Sequence, residues 1–404
     1  MSPSRPAGWR ETTIRRVLRR LDRPAQADLG VITAYRDGTV TLRSNRREDG
    51  YTFSDTENGY QEVRPGDLVF HALDGFAGAV GVSDSHGNGS PVYHVCEAID
   101  GCHPEFFAHL LRHLGTSGFL TTQAPSVRER SVDFRNWSTF ARVPVVLPPP
   151  DEQRAIADYL DRETAQIDTL IAKQEQLVAT LRERRKSLIT RAVTVGIDPS
   201  AKLRDSGDPT LGMVPTHWTI KAIRRWFLSL DGRRVPLSSE ERDDRRGPYE
   251  YFGASGVIDH VDDYIFDEDL VLVSEDGANL LMRSTPIAFA ATGKYWVNNH
   301  AHVLRPLAGP VAYWANRLEA IDVAPLVSGS AQPKLTARAL MGIRVAAPDS
   351  VEEQQRIAAF VHEKTAKIDA LIAKTERFIE LSKERRAALI TAAVTGQCGV
   401  RVSA

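Results

Sequence analysis

Cysteine is scarce in this chain: three occur among 404 residues, at positions 96, 102 and 398. So few thiols exclude a disulfide framework and fit a reducing compartment. His94, Cys96, Cys102 and His103 could be drawn as a zinc site, but their spacing matches none of the usual paired-ligand patterns, and the thiols read as incidental. Long hydrophobic runs are missing too, and no apolar stretch approaches the roughly 18–20 residues that cross a bilayer. The opening residues (MSPSRPAGWRETTIRRVLRR) have no apolar h-region and do not read as a secretory signal, so the cytoplasm is the expected location. Net charge is nearly nil, -1 from 51 basic and 52 acidic residues, which leaves any polyanion partner to local patches.

Recognisable catalytic signatures are absent as well. Gly293-Lys294 runs into Tyr295 and lacks the upstream glycine of a phosphate loop. Gly75, Gly78 and Gly81 do not fit the dinucleotide fingerprint, and no Asn-Pro-Pro-Tyr adenine-flipping motif occurs. Pro348-Asp349 lacks the acidic-x-Lys strand of a nuclease. His300 and His302 would point to one face of a strand and could hold a metal, but no paired carboxylate or third ligand stands out.

What the chain does contain is a long helical segment written twice. The first copy opens at Glu152 (EQRAIADYLDRETAQIDTLIAKQ) and the second at Glu353 (EQQRIAAFVHEKTAKIDALIAKT), 201 positions later without a gap. Roughly half of the aligned positions are identical, far beyond chance for a helical composition. A second echo precedes each: Pro6-x-x-Trp9 leads to Ile14-Arg15-Arg16, and Pro215-x-x-Trp218 leads to Ile223-Arg224-Arg225. Between these landmarks the two halves differ in length and almost everywhere in sequence. Such a duplication predicts two equivalent halves related by a pseudo-twofold, and a target that is itself two-sided.

Within the repeats, Leu160, Ile167, Leu181 and Leu188 recur at heptad intervals, with Leu170 and Leu177 taken as the neighbouring stripe. Val361, Ile368 and Leu389, with Leu371 and Phe378, occupy the equivalent stripes. The pattern predicts an a/d seam with charged flanks, interrupted by Gln174, Thr375 and Ser382. Ser350 and Glu353 have capping-box spacing, and Gly196 and Gly396 stand where a C-cap glycine is expected. About 40 helical residues make a rod of roughly 60 Å. Two such rods in one chain predict an antiparallel pair. The variable segments carry short β-like runs, Gly38–Arg43, Gly66–Phe70, Leu270–Ser274 and Trp296–His300, separated by Gly, Asp and Asn. The expected class is therefore α+β: two sheet-containing domains separated by two long helices packed as an antiparallel coiled coil. The expected divisions are 1–150, 151–196, 197–349 and 350–404.

Taken together, these features resemble the specificity subunit of type I restriction–modification systems. The resemblance rests on the Pro-x-x-Trp openings, on Gly66-Asp67-Leu68-Val69 and Ser90-Pro91-x-Tyr93, and on Gly253-Ala254-Ser255-Gly256 and Glu275-Asp276-Gly277. It rests equally on Trp296–His302, on Gly329–Leu335, and on the Pro-rich lead into Glu-Gln that begins each helix. It implies a subunit that binds DNA without cutting or methylating it. Two target-recognition domains would each read half of a split double-stranded site. Two modification (methyltransferase) subunits with S-adenosylmethionine, and restriction subunits using ATP and Mg, would assemble with it. The strong difference between the halves points to an asymmetric bipartite target. Amide and cationic side chains are the natural readers of base edges and phosphates. The candidates are Arg43, Asn45, Arg46 and Arg47 in the first domain, and Lys294, Asn298, Asn299, Gln332 and Lys334 in the second.

Overall fold

Trp9 and Trp218 anchor two units built to one plan. The structure, a computed structural model, describes residues 6–46, 59–124, 127–128, 131–329 and 332–398. Unit 1 comprises Met1–Gln174 with Arg377–Ala404, and unit 2 comprises Glu175–Glu376.

In unit 1 the strands are β1 (Arg10–Thr13), β2 (Leu18–Arg20), β3 (Val31–Ala34), β4 (Val40–Leu42), β5 (Gln61–Val63), β6 (Leu68–His71), β7 (Val80–Val82), β8 (Gly87–Gly89) and β9 (Tyr93–Ala98). Helices α1 (Pro104–Thr116) and α2 (Phe119–Gln123) follow, then the short pair β10 (Val127–Arg128) and β11 (Ser131–Val132), helix α3 (Trp137–Phe140) and strand β12 (Pro144–Leu147). Strand β12 pairs antiparallel with β1 and leads into the long helix α4 (Pro150–Val195). A central sheet has the order β2-β9-β6-β7 and an outer sheet the order β4-β3-β8-β5.

Unit 2 repeats the scheme after a hairpin of β13 (Leu203–Asp205) and β14 (Met213–Pro215). Its elements are β15 (Thr219–Ala222), β16 (Phe227–Ser229), α5 (Ser239–Asp244), β17 (Arg246–Gly253), β18 (Gly256–Val261), β19 (Phe266–Asp267) and β20 (Leu270–Ser274). They continue with α6 (Asn279–Met282), β21 (Ala288–Ala291), β22 (Lys294–Val297), β23 (Ala301–Pro306), α7 (Val311–Glu319), α8 (Ala337–Gly342), β24 (Arg344–Ala347) and the second long helix α9 (Val351–Val394). The central sheet is β16-β23-β20-β21 and the outer sheet β18-β17-β22-β19. Strand for strand, order and direction match unit 1, including one parallel pair in each outer sheet, β3·β8 and β17·β22. Two domains that share almost no sequence thus share a topology.

The hydrophobic pattern explains how. A strand buried on both faces reads as a continuous apolar run rather than as an alternation. In β20, Val271 and Val273 face the helix-side core, whereas Leu270 and Leu272 face the outer sheet. In β6, Leu68 and Phe70 join the helix-side core and Val69 packs with Ile32 and Val63 of the outer sheet. Each unit therefore has three layers: helices, central sheet, outer sheet.

Both units contain part of each long helix, running antiparallel. In unit 1 Arg386 meets Asp168 at 2.8 Å, and in unit 2 Arg185 meets Asp369 at 2.8 Å and Arg182 meets Glu376 at 2.9 Å. The seam differs from the expected one in phase. Ile171, Val178, Ile368 and Ile379 are buried, while Leu170 (39% exposed), Leu177 (43%), Leu371 (51%) and Phe378 (43%) are open. Leu160 and Val361 are buried in the cores of units 1 and 2, Leu389 packs partly buried on the first, and Ile167, Leu181 and Leu188 are partly buried. The correction is one residue, about 100° of rotation. Leu170-Ile171 and Leu177-Val178 are both apolar, and sequence alone does not say which of each pair turns inward. Gln174, Thr375 and Ser382 do interrupt the seam, and Arg185 and Arg386 occupy two further seam positions. Among the described residues no helix is long and apolar enough to cross a membrane.

Candidate nucleic-acid interface

The helix junctions fix each domain first. In unit 1 the Trp9 indole donates to Glu152 Oε1 at 3.1 Å, and in unit 2 Trp218 donates to Glu353 Oε1 at 2.9 Å. Beside them Gln153 and Gln354 turn back to cap the carbonyls of Pro148 and Pro348, at 3.0 and 2.8 Å. The Glu-Gln that begins each repeat is thus a latch between helix and domain. The capping box expected at Ser350 is half formed: Ser350 Oγ accepts from the Glu353 amide, but the Glu353 carboxylate goes to Trp218 and His217. Gly196 and Gly396 end their helices at φ +88° and +72°. A Cβ on Gly396 would lie 2.3 Å from Pro6 and 3.1 Å from Trp9, and one on Gly196 3.5 Å from Trp218. Each tryptophan therefore takes the start of one long helix and the end of the other.

On the outer sheet of unit 1, β4 runs into a 3-10 turn, Arg43–Asn45, that brings the first set of candidates together. Arg43 reaches Thr33 at 3.5 Å, and Asn45 donates to Thr41 Oγ1 at 2.9 Å. Arg46 pairs with Asp37 at 2.8 Å and lies over the Tyr35 ring, 4.4 Å from its centroid. Burial pushes the Asp37 carboxyl up, but the Arg46 guanidinium and Thr39 outweigh it and hold that carboxyl below the usual range. Arg47 lies outside the described residues.

The second set is more dispersed. Lys294 is exposed on β22, 4.6 Å above the Tyr264 ring and 3.9 Å from Asp267. Asn298 is only 5% exposed, and its Oδ1 accepts from the His300 amide at 2.8 Å. It shapes the turn after β22 and does not stand at the surface, whereas Asn299 is exposed beside it. Gln332 is exposed, and Lys334 pairs with Glu275 at 3.0 Å. Glu275 also takes Arg234 at 2.6 Å, and Arg234 donates to the Ala301 carbonyl at 2.8 Å. Burial raises the Glu275 carboxyl, and Arg234 and Lys334 more than reverse this, leaving it below its ordinary value. The Glu275-Asp276-Gly277, Trp296–His302 and Gly329–Leu335 motifs thus form one network.

His300 sits in the turn before β23 and not on the strand, and pairs with Asp276 at 2.8 Å. His302 is buried between Asp231, at 2.7 Å, and the Leu335 carbonyl, at 2.8 Å. The two rings serve separate contacts and do not converge. In unit 1 His94 meets the Phe134 carbonyl at 2.7 Å, and burial drives the Cys96 thiol pKa upward. Sequence reading missed the role of Arg234 and of Asp231, which holds both His302 and the Val303 amide. No spacing signal marks either one. The runs Arg233-Arg234 and Arg245-Arg246 are neutralised locally, with Arg233 on Glu268, Arg245 on Asp262 and Arg246 on Asp243.

Against known proteins, residues 218–381 match the type I restriction modification DNA specificity domain. A type I restriction enzyme specificity subunit of Haemophilus influenzae is 31% identical over 122 residues, which is 30% of this chain and 30% of that relative's length. Two solved structures share the fold across nearly the whole chain. One comes from work on complex assembly and conformational transition of the type I R-M system, with a TM-score of 0.74 at 15% identity, covering 98% of this chain and 100% of that one. The other is the HsdS subunit from Thermoanaerobacter tengcongensis, with a TM-score of 0.55 at 18% identity, covering 98% and 99%.

Proposed function

We propose that this chain, which carries a type I DNA specificity domain at 218–381 and the fold of type I specificity subunits throughout, reads a split, asymmetric DNA target and brings partner enzymes to it. The observation that carries the proposal is the pair of units identical in topology yet different in exposed side chains. Equal scaffolds place two readers alike, and unequal surfaces make them read different bases.

In unit 1 the reading edge is the turn at Arg43, Asn45 and Arg46. In unit 2 it is Lys294, Asn299, Gln332 and Lys334. The chain acts by binding. Methyl transfer belongs to modification subunits that hold S-adenosylmethionine, and cleavage to restriction subunits that use ATP and Mg. The open edge of the helices gives two such modification subunits equivalent places: Leu170 and Leu371 repeat each other, as do Leu177 and Phe378. Exposed apolar residues in register on a coiled coil are the mark of a further helix to be received.

Modified-base sequencing of DNA from cells that express this chain with its modification subunit tests the reading. The expected result is a split, asymmetric motif methylated on both strands that disappears when the chain is removed. Methylation indifferent to the chain, with the complex assembled, overturns it.

A further inference from the structure

Many arginines of the globular domains face a carboxylate: Arg23 meets Asp67 at 2.7 Å, Arg36 meets Asp74 at 2.9 Å and Arg305 meets Glu268 at 2.7 Å. Others do not, and among these an Arg-Arg pair recurs at the same place in both units, each time with a third arginine on the neighbouring segment. In unit 1 the 3-10 turn Ile14–Arg16 follows β1, with Ile14 fully buried. The Ile14 amide donates to the Val143 carbonyl at 3.2 Å and the Arg15 amide to Ala141 at 3.0 Å, so Arg142 lies alongside the turn. In unit 2 the turn Ile223–Arg225 follows β15, again with its Ile buried, and the Ile223 amide donates to the Ile343 carbonyl at 2.8 Å. Arg344 comes next, in register with Ala222 as Pro144 is with Thr13, so the third arginine follows the accepting residue in unit 2 and precedes it in unit 1.

All six arginines, Arg15, Arg16 and Arg142 in one unit and Arg224, Arg225 and Arg344 in the other, are exposed. Among the described residues none has an ion pair, although Arg344 lies within electrostatic reach of Asp208. Neighbouring cations without an ion pair repel one another, an arrangement that is costly without a ligand. Its repetition in two otherwise divergent domains means that both must meet the same thing.

Base edges are not the same at two different half-sites, but the sugar–phosphate backbone is. Phosphate contacts hold register and carry no sequence information. Guanidinium groups are the donors best matched to phosphate oxygens. We infer that these two arginine triads are backbone anchors, one for each half-site, that grip the duplex without reading it. The inference rests on the DNA-reading function proposed above. The triads stand on the globular domains, whereas Leu170 and Leu371, assigned to protein partners, stand on the long helices, which is why DNA and not an acidic protein is the chosen ligand.

The test uses the complex with its modification subunit and a duplex carrying the motif found by modified-base sequencing. Binding is measured from about 50 to 200 mM salt, where each neutralised phosphate contributes about 0.9 to the log–log slope. R15Q/R16Q/R142Q, or R224Q/R225Q/R344Q, should each lower the slope by about 2 to 3. The methylated bases should stay the same, and the corresponding Arg→Lys triples should keep the slope. An unchanged slope overturns the anchors. An unchanged slope with fewer modification subunits per chain in native mass spectrometry assigns the triads to protein docking and equally overturns them. A wild-type complex that binds its motif no better than a scrambled duplex sinks the specificity reading instead, while the slope still decides the anchors.

Discussion

Asp168 and Arg386 bond across the helix pair of unit 1, and their counterparts in the other copy of the repeat, Asp369 and Arg185, bond across that of unit 2 in the opposite chain order. One duplicated helix has thereby supplied both halves of each contact. The acid comes from the front of one copy and the arginine from the back of the other. The seam is complementary to itself when one strand is reversed.

These pairs are solvent-exposed, so their worth lies in pairing specificity more than in stability. D168A or R386A alone should cost less than about 1 kcal/mol. The swap D168R/R386D should restore most of the loss, as followed by urea denaturation. A loss above about 3 kcal/mol for either single change would mean that the pair is buried in solution.

The phase of the seam gives a sharper contrast. I171A should destabilise the protein by about 2–4 kcal/mol, because it empties a packed position. L170A should cost under about 1 kcal/mol in the free chain and should instead weaken binding of the modification subunit. Equal losses from both in the free chain would contradict the seam.

The tryptophan latches are hydrogen bonds to carboxylates, the stronger kind. W9F and W218F should each cost about 1–3 kcal/mol. Hydrogen exchange should show the loss confined to unit 1 for W9F and to unit 2 for W218F. Equal spread over both units would argue against separate latches.

Glu275 gives a pH prediction. Its folded pKa lies below the unfolded value of about 4.3 because Arg234 and Lys334 favour the anion. Its contribution is therefore complete above that value and is lost as pH falls through the lower, folded one. The Ser328–Lys334 backbone pair should keep its exchange protection down to about pH 4 and lose it below. E275Q should remove that dependence; a protection profile flat with pH in the wild type would count against the network.

Much of this was legible in the sequence, and the parts that were not have specific causes. The repeat, its antiparallel pairing and the C-cap glycines follow from periodicity and from residues with few alternatives. The phase of the seam was not legible, because Leu170-Ile171 and Leu177-Val178 offer two apolar choices each. The Trp echo could be read as a repeat, but not as a latch, since its carboxylate lies 143 residues away in unit 1 and 135 in unit 2. Arg43, Asn45 and Arg46 share one turn, which their adjacency in the chain makes legible. The burial of Asn298 is not legible, because one residue decides whether a side chain beyond a strand end faces inward, and its neighbour Asn299 is the exposed one. Arg234 and Asp231 carry no local pattern, and only the folded network shows what they hold.

The core of unit 1 includes Leu389, Ile390, Ala393 and Val394 beside Trp9 and Ile14. On the ribosome, therefore, the domain made first is the one finished last. The part of its apolar core that α9 covers stays open while unit 2 is being synthesised, and closes only when residues near 394 emerge. A chain halted a few dozen residues early would be faulty at its beginning, not at its broken end. Proteases that survey new proteins would find the defect near Trp9, and a chain with only its second unit complete would seldom survive.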